Sequence, residues 1–310
     1  MKLVAERIIV FLLLSVTAYS QFTKTSTERA DDIAAIRQAI SEVERSFVSR
    51  ETSAIEKTYI DGYVGIKGKI VYNARDQLLA MIRWDAAAIK AGKRLDFETL
   101  SYESDIPFVT VYDDAAIVTS LKKNLWRYKD DKCLSKYQST ELWIKVGLDW
   151  KVAVGHMTAI PCDPLPWLPP HPAVVEARTV TRPSKYLSPT VETELRELIS
   201  KLNEGGILRD SGSDMFTTDF TSTGSNNDVT SDRTSLLAAL RTPTGRGGER
   251  YKDDEAFLSY GNSAAYFFRV RSIARAGESK PEPPVTFSVY FVKQLGSWKI
   301  AASHASSLQD

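Results

Sequence analysis

The sequence predicts an α+β fold that occurs twice in one chain. The stretch Trp150-Lys-Val-Ala-Val-Gly-His156 returns as Trp298-Lys-Ile-Ala-Ala-Ser-His304, with the same spacing from tryptophan to histidine. A shift of 148 residues aligns the two copies without a gap from Tyr112 onward. Within each copy, apolar residues first recur every three or four positions and later every two, which indicates helices followed by strands. A repeat this long predicts two domains of roughly 120 to 130 residues, each able to bury a core.

The composition is typical of a soluble globular protein and excludes several functions. The chain has 310 residues, of which 43% are hydrophobic and 25% charged, and its net charge is +1. This balance lacks the basic surface that binds nucleic acid or an anionic membrane. Two cysteines and three histidines are too few and too scattered for a zinc or iron-sulfur site, so we expect no metal and no cofactor.

The N-terminal segment predicts export. Residues 1–20 begin with basic side chains, continue with an apolar run from Ile8 to Val16 and end with small residues at Ala18 and Ser20. This pattern is typical of a cleaved signal peptide. A membrane anchor is the alternative, but the run has about half the length that spans a bilayer. We therefore expect a secreted or periplasmic protein without membrane attachment after cleavage.

The first domain, residues 28–160, should begin with helices. Apolar residues in steps of three and four from Ile33 to Phe47 predict a first helix, which Asp31 or Asp32 would cap. Further elements are expected as a short helix at 52–59, a turn and short strand at 61–66, and a third helix from about 73 to 92.

From Leu95 the hydrophobic period changes to two, which predicts antiparallel strands. They are expected at 95–104, 107–112, 115–128, 136–146 and 150–159. Three helices followed by such a meander predict helices packed on one face of a curved antiparallel sheet.

A proline-rich linker at 161–188 separates this domain from the second, residues 189–310. Proline fixes φ and removes a donor, so the linker should be semi-rigid, and a ligand for a partner domain is the alternative. The second domain opens with a helix whose apolar face includes Leu195 and Ile199, and it is about ten residues shorter before its long strands. That loss should trim the first long strand and one wall of any cavity.

This order of elements, ending in a strand of the form Trp-Lys-Ile/Val-x-x-x-His, resembles the nuclear transport factor 2-like superfamily. The closest resemblance is to its ketosteroid isomerase or SnoaL-like branch, over residues 30–160 in full and 190–310 in shortened form. The resemblance implies tandem cone-shaped α+β barrels, each enclosing a pocket and often pairing through the outer sheet face. Its members include isomerases, cyclases, dehydratases and domains that only bind or assemble, so the fold does not specify a function.

The last hairpin of each domain predicts a histidine site. A three-residue turn at 147–149 sets His156 opposite Thr140, and apolar residues favour placing it on the inward face with Trp150. The same register sets His304 opposite Ser288. A hydroxyl beside an imidazole can fix its tautomer for a general base or a ligand contact, or it can simply satisfy a buried histidine.

An acid to accompany the histidine is harder to place. The resemblance implies that catalysis would need a carboxylate between apolar walls with a tyrosine or histidine opposite. Asp61, close to Tyr63, is the candidate that could point inward, and a plain turn role is its alternative. Strand alternation places Glu141 on the outer face with Trp143 and Tyr137. No acid–base pair is therefore evident.

The two cysteines are predicted to form one disulfide. Cys133 precedes the strand 136–146 and Cys162 follows the strand 150–159, so the hairpin register brings them to the same end. In an oxidising compartment such a pair can close a bridge, and two thiols are the alternative.

The function expected from the sequence is binding of a small, mostly apolar molecule in the first domain's pocket. An isomerase, cyclase or dehydratase working in that pocket is one alternative. A scaffold whose two sheets pair inside the chain, in place of a homodimer, is the other. The candidate pocket residues are His156, Thr140, Trp150, Tyr63, Asp61, His304 and Ser288.

Overall fold

A computed structural model describes residues 26–67, 69–95, 97–128, 131–160, 188–203, 214–224, 228–231, 233, 236, 250–272 and 283–307. The expected signal peptide and nearly all of the expected linker lie outside these residues. The helices are α1 (Ser26–Ser49), α2 (Ser53–Thr58), α3 (Ala74–Lys90) and α4 (Pro189–Asn203). The first half contains β1 (Tyr59–Lys67), β2 (Lys69–Val71), β3 (Phe97–Tyr112), β4 (Ala115–Tyr128), β5 (Asp131–Val146) and β6 (Asp149–Ile160). The second half contains β7 (Phe216–Thr223), β8 (Val229–Thr230), β9 (Arg250–Tyr260), β10 (Ser263–Ser272), β11 (Val285–Gln294) and β12 (Ser297–Ser307).

The two halves build sheets of the same topology. One six-stranded sheet has the order β2-β1-β6-β5-β4-β3, and the other has the order β8-β7-β12-β11-β10-β9. The predicted α+β class is confirmed. Each sheet is mixed, however, because β1 joins β6 and β7 joins β12 in parallel. The expectation of a wholly antiparallel sheet is wrong for β1 and β7, since each of them adds in parallel beside the last strand of the meander.

Several element boundaries differ from the expected ones. The two strands expected at 95–104 and 107–112 form one strand, β3, which contains an irregularity between Asp105 and Phe108. In the second half its counterpart β9 has 11 residues where β3 has 16. The residues just before β9 lie outside the described part of the chain, so the trimming of this strand stays a prediction.

One irregularity decides which side chains face which core. β5 pairs Leu142 with Val154 but Trp143 with Val152, so Ala153 is an extra residue in β6. The β11–β12 pair repeats this irregularity at the equivalent position. Because side chains alternate along a strand, one extra residue moves everything beyond it to the other face of the sheet.

The expectation that Trp150 and His156 share a face is wrong for this reason. Trp150 and Val152 pack in the core under the helices of the first half. Val154 comes after the extra residue and packs in a separate core on the other side of the sheet. His156 lies two residues further along β6, so its side chain is on the same side as that of Val154.

That separate core lies between the two sheets. It draws buried residues from both halves, including Ile117, Leu142, Val154, Phe267, Tyr290 and Ala302. Each half also has a core of its own against its helices. The described part of the chain is thus layered as helices, sheet, sheet and helices.

Candidate functional site

The helices and sheet of the first half enclose a small cavity. Its volume is about 20 Å³, which is room for about one water molecule. Aromatic rings and charged groups line it together, namely Glu44, Tyr59, Tyr102, Lys122, Glu141 and Trp143 among others. The cavity is nearly filled, its lining combines apolar side chains with charged ones, and none of the seven residues expected to line the pocket is part of it.

A buried ion pair joins two neighbouring strands on the cavity wall. Lys122 on β4 is 8% exposed and Glu141 on β5 is 3% exposed, and their side chains form a salt bridge. Ser139 Oγ donates to Glu141 Oε1 at 3.3 Å, and Trp143 Nε1 donates to Glu141 Oε2 at 3.0 Å. Burial alone would lower the pKa of Lys122, but the Glu141 carboxylate outweighs it and holds that pKa above its usual value. Lys122 is thus a cation, and both Glu141 oxygens are occupied.

Glu44 on α1 is the other acid of the cavity. Its Oε1 is buried and accepts no hydrogen bond from the described residues. Burial raises the pKa of Glu44, against the opposing effects of Ser104 and of the positive charge on Lys122. Burial therefore destabilises the ionised form of Glu44. Its Oε1 is an acceptor that receives no hydrogen bond from the described residues.

Tyrosines supply much of the remaining wall. Tyr102 stacks on Phe47 with ring centroids 4.8 Å apart, and Tyr59 meets Tyr63 edge to face at 4.7 Å. Burial raises the pKa of Tyr102 to about 12 and that of Tyr59 well above its usual value. Both phenols are therefore neutral donors at physiological pH.

Two acidic residues discussed in the sequence analysis lie where they were not expected. The Asp61 side chain is 93% exposed and pairs with Arg75, so Asp61 does not point inward. Glu141, expected on the outer face, instead lies under the helices, because the extra residue at Ala153 reverses the facing inferred from Trp150.

Trp150 links the β5–β6 hairpin to α1 through a hydrogen bond. Its Nε1 donates to Asp32 Oδ1 at 2.8 Å, and Lys145 Nζ lies 2.7 Å from the same oxygen. Asp32 is therefore inside α1 and is not its cap. The second half repeats this contact, with Trp298 Nε1 donating to Glu194 Oε2 at 2.6 Å. The repeated tryptophan thus connects helix and sheet in both halves.

Tyr63 lies directly against a glycine of β6. A Cβ added to Gly155 would stand 2.5 Å from Tyr63 Oη but 3.4 Å from the nearest ring carbon. The second half has the complementary pair, because the aligned positions hold Phe220 and Ser303. Tyrosine against glycine in the first half thus corresponds to phenylalanine against serine in the second half.

We expect Gly155→Ala to lower the free energy of unfolding by about 1–3 kcal/mol, because the added methyl group overpacks the site. Tyr63→Phe/Gly155→Ala should recover most of this loss, since only the hydroxyl is too close. Urea unfolding of wild type, both single variants and the double variant measures the effect. Additive losses in the double variant would contradict it.

His156 and His304 lie between the two sheets and not under the helices. Both are fully buried, and their rings stack with centroids 4.1 Å apart at an interplanar angle of 17°. His156 Nδ1 lies 2.8 Å from Ser288 Oγ, and its Nε2 lies 2.7 Å from Ser306 Oγ. Both ring nitrogens of a first-half histidine are therefore bonded to second-half hydroxyls.

His304 makes the reciprocal contacts. Its Nδ1 lies 2.9 Å from Thr140 Oγ1, and its Nε2 lies 2.8 Å from Thr158 Oγ1. A shift of 148 residues carries these threonines onto the two serines that His156 contacts. The same patch on each half thus binds the same patch on the other, as in the interface of a two-fold symmetric dimer.

The predicted strand register is confirmed at the histidines but is wrong next to the turn. The turn has two residues where three were expected, so Trp150 pairs with Lys145 and not with Val146. The hydrogen bonds also differ from the expected ones. Thr140 is the cross-strand neighbour of His156, and Ser288 is that of His304. Each hydroxyl nevertheless bonds to the histidine of the opposite half. Local pairing therefore brings the groups to the interface, and the docking of the sheets selects the partners.

Burial keeps both imidazoles neutral. It lowers the pKa of His304 to about 3 and, together with the nearby His304, the pKa of His156 well below its usual value. The neighbours of the rings are hydroxyls and apolar side chains. With both nitrogens of each ring bonded, the geometry favours buried, satisfied histidines over ligand-binding ones.

The second half replaces the polar groups of the cavity with apolar ones. Strand pairing and the 148-residue shift give each first-half residue its second-half counterpart. The pairs are Lys122 and Val270, Glu141 and Val289, Ser139 and Phe287, Trp143 and Phe291, Tyr59 and Phe216, and Tyr63 and Phe220. The second-half residues all belong to or pack against one hydrophobic core. The same strand arrangement thus carries a cavity with charged groups in the first half and an apolar core in the second.

The functional groups missed from the sequence are Glu44, Lys122 and Glu141. A signal for two of them was available, since each is a charged residue at a strand position where the second copy has valine. Within the described residues, no group of three His, Cys, Asp or Glu side chains is suited to hold a metal ion. None of the described helices has the length and apolar character needed to cross a bilayer.

No protein-family model and no curated protein matches the chain. Among solved structures, a nuclear transport factor 2-like protein from Cytophaga hutchinsonii is 17% identical, over 40% of this chain and 95% of that one, with a TM-score of 0.31. A ketosteroid isomerase-like protein from Erwinia carotovora atroseptica is 18% identical, over 41% and 95%, with a TM-score of 0.33. A nuclear transport factor 2-like protein of unknown function from Silicibacter pomeroyi is 16% identical, over 44% and 100%, with a TM-score of 0.32. We infer no activity from these distant matches.

Proposed function

We propose that the chain is a small-molecule binding protein whose site is the cavity of the first half. The second half serves as a built-in structural partner. The observation that carries this proposal is the exchange of Lys122 and Glu141 for valines at the aligned positions of the second half.

The physical reason concerns the cost of a buried ion pair. Moving two charges out of water costs several kcal/mol for each ion, and well-packed apolar residues often replace such a pair without loss of stability. The second half has the same strand order and buries apolar residues at the equivalent positions. The fold therefore does not need Lys122 and Glu141, which supports a role in recognition.

The chemistry of the lining defines the ligand more narrowly than the sequence did. Rings of Phe47, Tyr59 and Tyr102 favour an apolar body, while Glu44 and the Lys122–Glu141 pair favour a polar group. We therefore propose a small amphipathic ligand in place of a mostly apolar one. The volume of about 20 Å³ admits only a compact group.

The contact between the sheets supports a proposal for the second half. The reciprocal bonds of His156 and His304, together with a shared apolar core, supply the kind of contact that a second copy makes in a symmetric dimer. We propose that the second half takes that place within one chain. The monomeric state of the full chain in sedimentation analysis would agree with this.

Thermal unfolding with a panel of small amphipathic molecules tests ligand binding. A ligand at one hundred times its Kd should add about 2.7 kcal/mol of stability. Lys122→Met/Glu141→Leu should abolish the shift, because it converts the cavity wall to the apolar type of the second half. His156→Gln is the control, and its shift should equal that of wild type, since His156 lies on the other face of the sheet. A shift lost in His156→Gln but kept in the double variant would refute the assignment.

Proton transfer in the same cavity is the second candidate function. The observation that favours it is Glu44, a partly buried acid with a raised pKa beside neutral tyrosines. An isomerase, cyclase or dehydratase would use such a group. Any ligand that binds should therefore be assayed for turnover, with Glu44→Gln as the variant that must lose it.

We also propose export and a disulfide, which the N-terminal pattern and the hairpin register support. Cys133 lies on β5, and Cys162 is outside the described residues. Mass spectrometry of the native, unreduced protein after alkylation should show no added label and an N-terminus at Gln21. Two labels per chain would rule out the bridge, and an intact N-terminus would rule out the cleavage.

A further inference from the structure

We propose that the ligand of the first-half cavity carries a compact organic cation, a protonated amine, for which Glu44 is the counter-ion. This inference rests on the proposed binding function. It names the chemical class that the cavity selects.

The charges of the lining supply the first argument. Glu44, Lys122 and Glu141 are the charged residues that line the cavity. Lys122 and Glu141 neutralise each other in a salt bridge. An ionised Glu44 therefore leaves one uncompensated negative charge, and a ligand of charge +1 restores neutrality.

The hydrogen bonds supply the second argument. The oxygens of Glu141 already accept from Lys122, Ser139 and Trp143. Glu44 Oε1 is buried and accepts no hydrogen bond from the described residues. A buried acceptor without a donor costs free energy, and an ammonium group has three donors and no acceptor. Glu44 can thus receive a cation that Glu141 cannot.

The aromatic wall supplies the third argument. Phe47, Tyr59, Tyr102 and Trp143 surround the same cavity. Aromatic faces attract cations, and the attraction grows when the cation leaves water. An anion would meet these rings and the Glu44 carboxylate, which would repel it. The volume of about 20 Å³ limits the buried group to a primary ammonium, with the rest of the ligand outside.

The test compares n-butylammonium with its neutral and anionic analogues, n-butanol and butyrate, at equal ionic strength. Chemical-shift titration of the full chain gives the Kd of each probe. We expect butylammonium to bind at least tenfold more tightly than the other two. As the pH falls below the pKa of Glu44, its affinity should drop about tenfold for each pH unit, because protonation removes the counter-ion.

Glu44→Gln keeps the shape of the side chain and should weaken butylammonium at least tenfold while leaving butanol unchanged. Glu51→Gln is the matched control, since Glu51 is exposed, lies outside the cavity lining and is not among the groups that shift the pKa of Glu44. Should Glu44→Gln fail to fold, the pH dependence of wild type decides. Equal or tighter binding of butanol or butyrate overturns the inference but leaves the binding function standing. If none of these probes and no member of the wider panel binds, both proposals fail.

Discussion

Acidification from pH 7 to pH 5 should lower the free energy of unfolding by about 4 kcal/mol through the two interface histidines alone. Burial lowers the pKa of His304 to about 3 and that of His156 well below its usual value. The unfolded chain therefore takes up protons below its ordinary histidine pKa of about 6.5, while the folded chain does not. Stability is complete above that pH and is lost as the pH falls toward the folded-state values.

Urea unfolding at pH 7.5, 6.0 and 5.0 measures this slope, which should be about 1.4 kcal/mol per pH unit for each histidine. His156→Gln/His304→Gln is the control, because glutamine can bond to the same hydroxyls but does not titrate. The double variant should be less stable than wild type at pH 7.5 and should depend less on pH. If both proteins had the same pH slope, the histidines would either be charged in the folded state or take up no further protons on unfolding.

The repeat and the local pairing were predictable because both depend on neighbours in the sequence. Periods of three, four and two fixed the helices and the long strands. These features need only steric alternation, so one sequence is enough to infer them. The pairing of Thr140 with His156 was right for another reason: the turn has two residues where three were expected, and the extra residue Ala153 makes up the difference.

The facing of the hairpin was not predictable from the same pattern. The extra residue is an alanine between two valines, and this run has no glycine or proline to mark a break in pairing. Either facing buries apolar side chains, because both faces of this sheet are covered. The position of Glu141 and His156 therefore depended on a bulge that the local sequence does not reveal.

The hydrogen-bond partners of the histidines could not be predicted for another reason. His156 bonds to hydroxyls 132 and 150 residues away, and the docking of two sheets selects them. The reciprocal relation under the 148-residue shift becomes evident only when both halves are considered as faces of one interface. Comparing the copies by polarity, position by position, would have identified Lys122 and Glu141 as well.

The buried ion pair leads to the second prediction of large effect. Lys122→Met alone and Glu141→Leu alone should each cost about 3–5 kcal/mol, because each leaves one buried charge without its partner. The double variant should lie within about 1 kcal/mol of wild type or exceed it, since apolar side chains of similar length fill the space and neither charge remains. Methionine and leucine are chosen over the valines of the second half, because there Phe268 and Phe287 fill the positions of Ser120 and Ser139.

A double-mutant cycle by urea unfolding at pH 7.5 measures the coupling, which should be several kcal/mol. The pair Arg83–Glu56 supplies the control, because its side chains are 62% and 40% exposed, and exposed pairs couple by less than about 1 kcal/mol. Equal couplings for the two pairs would mean that Lys122 and Glu141 are solvated. A double variant as unstable as the single ones would mean that the first half needs the ion pair to fold, and the argument for recognition from the valines of the second half would then fail.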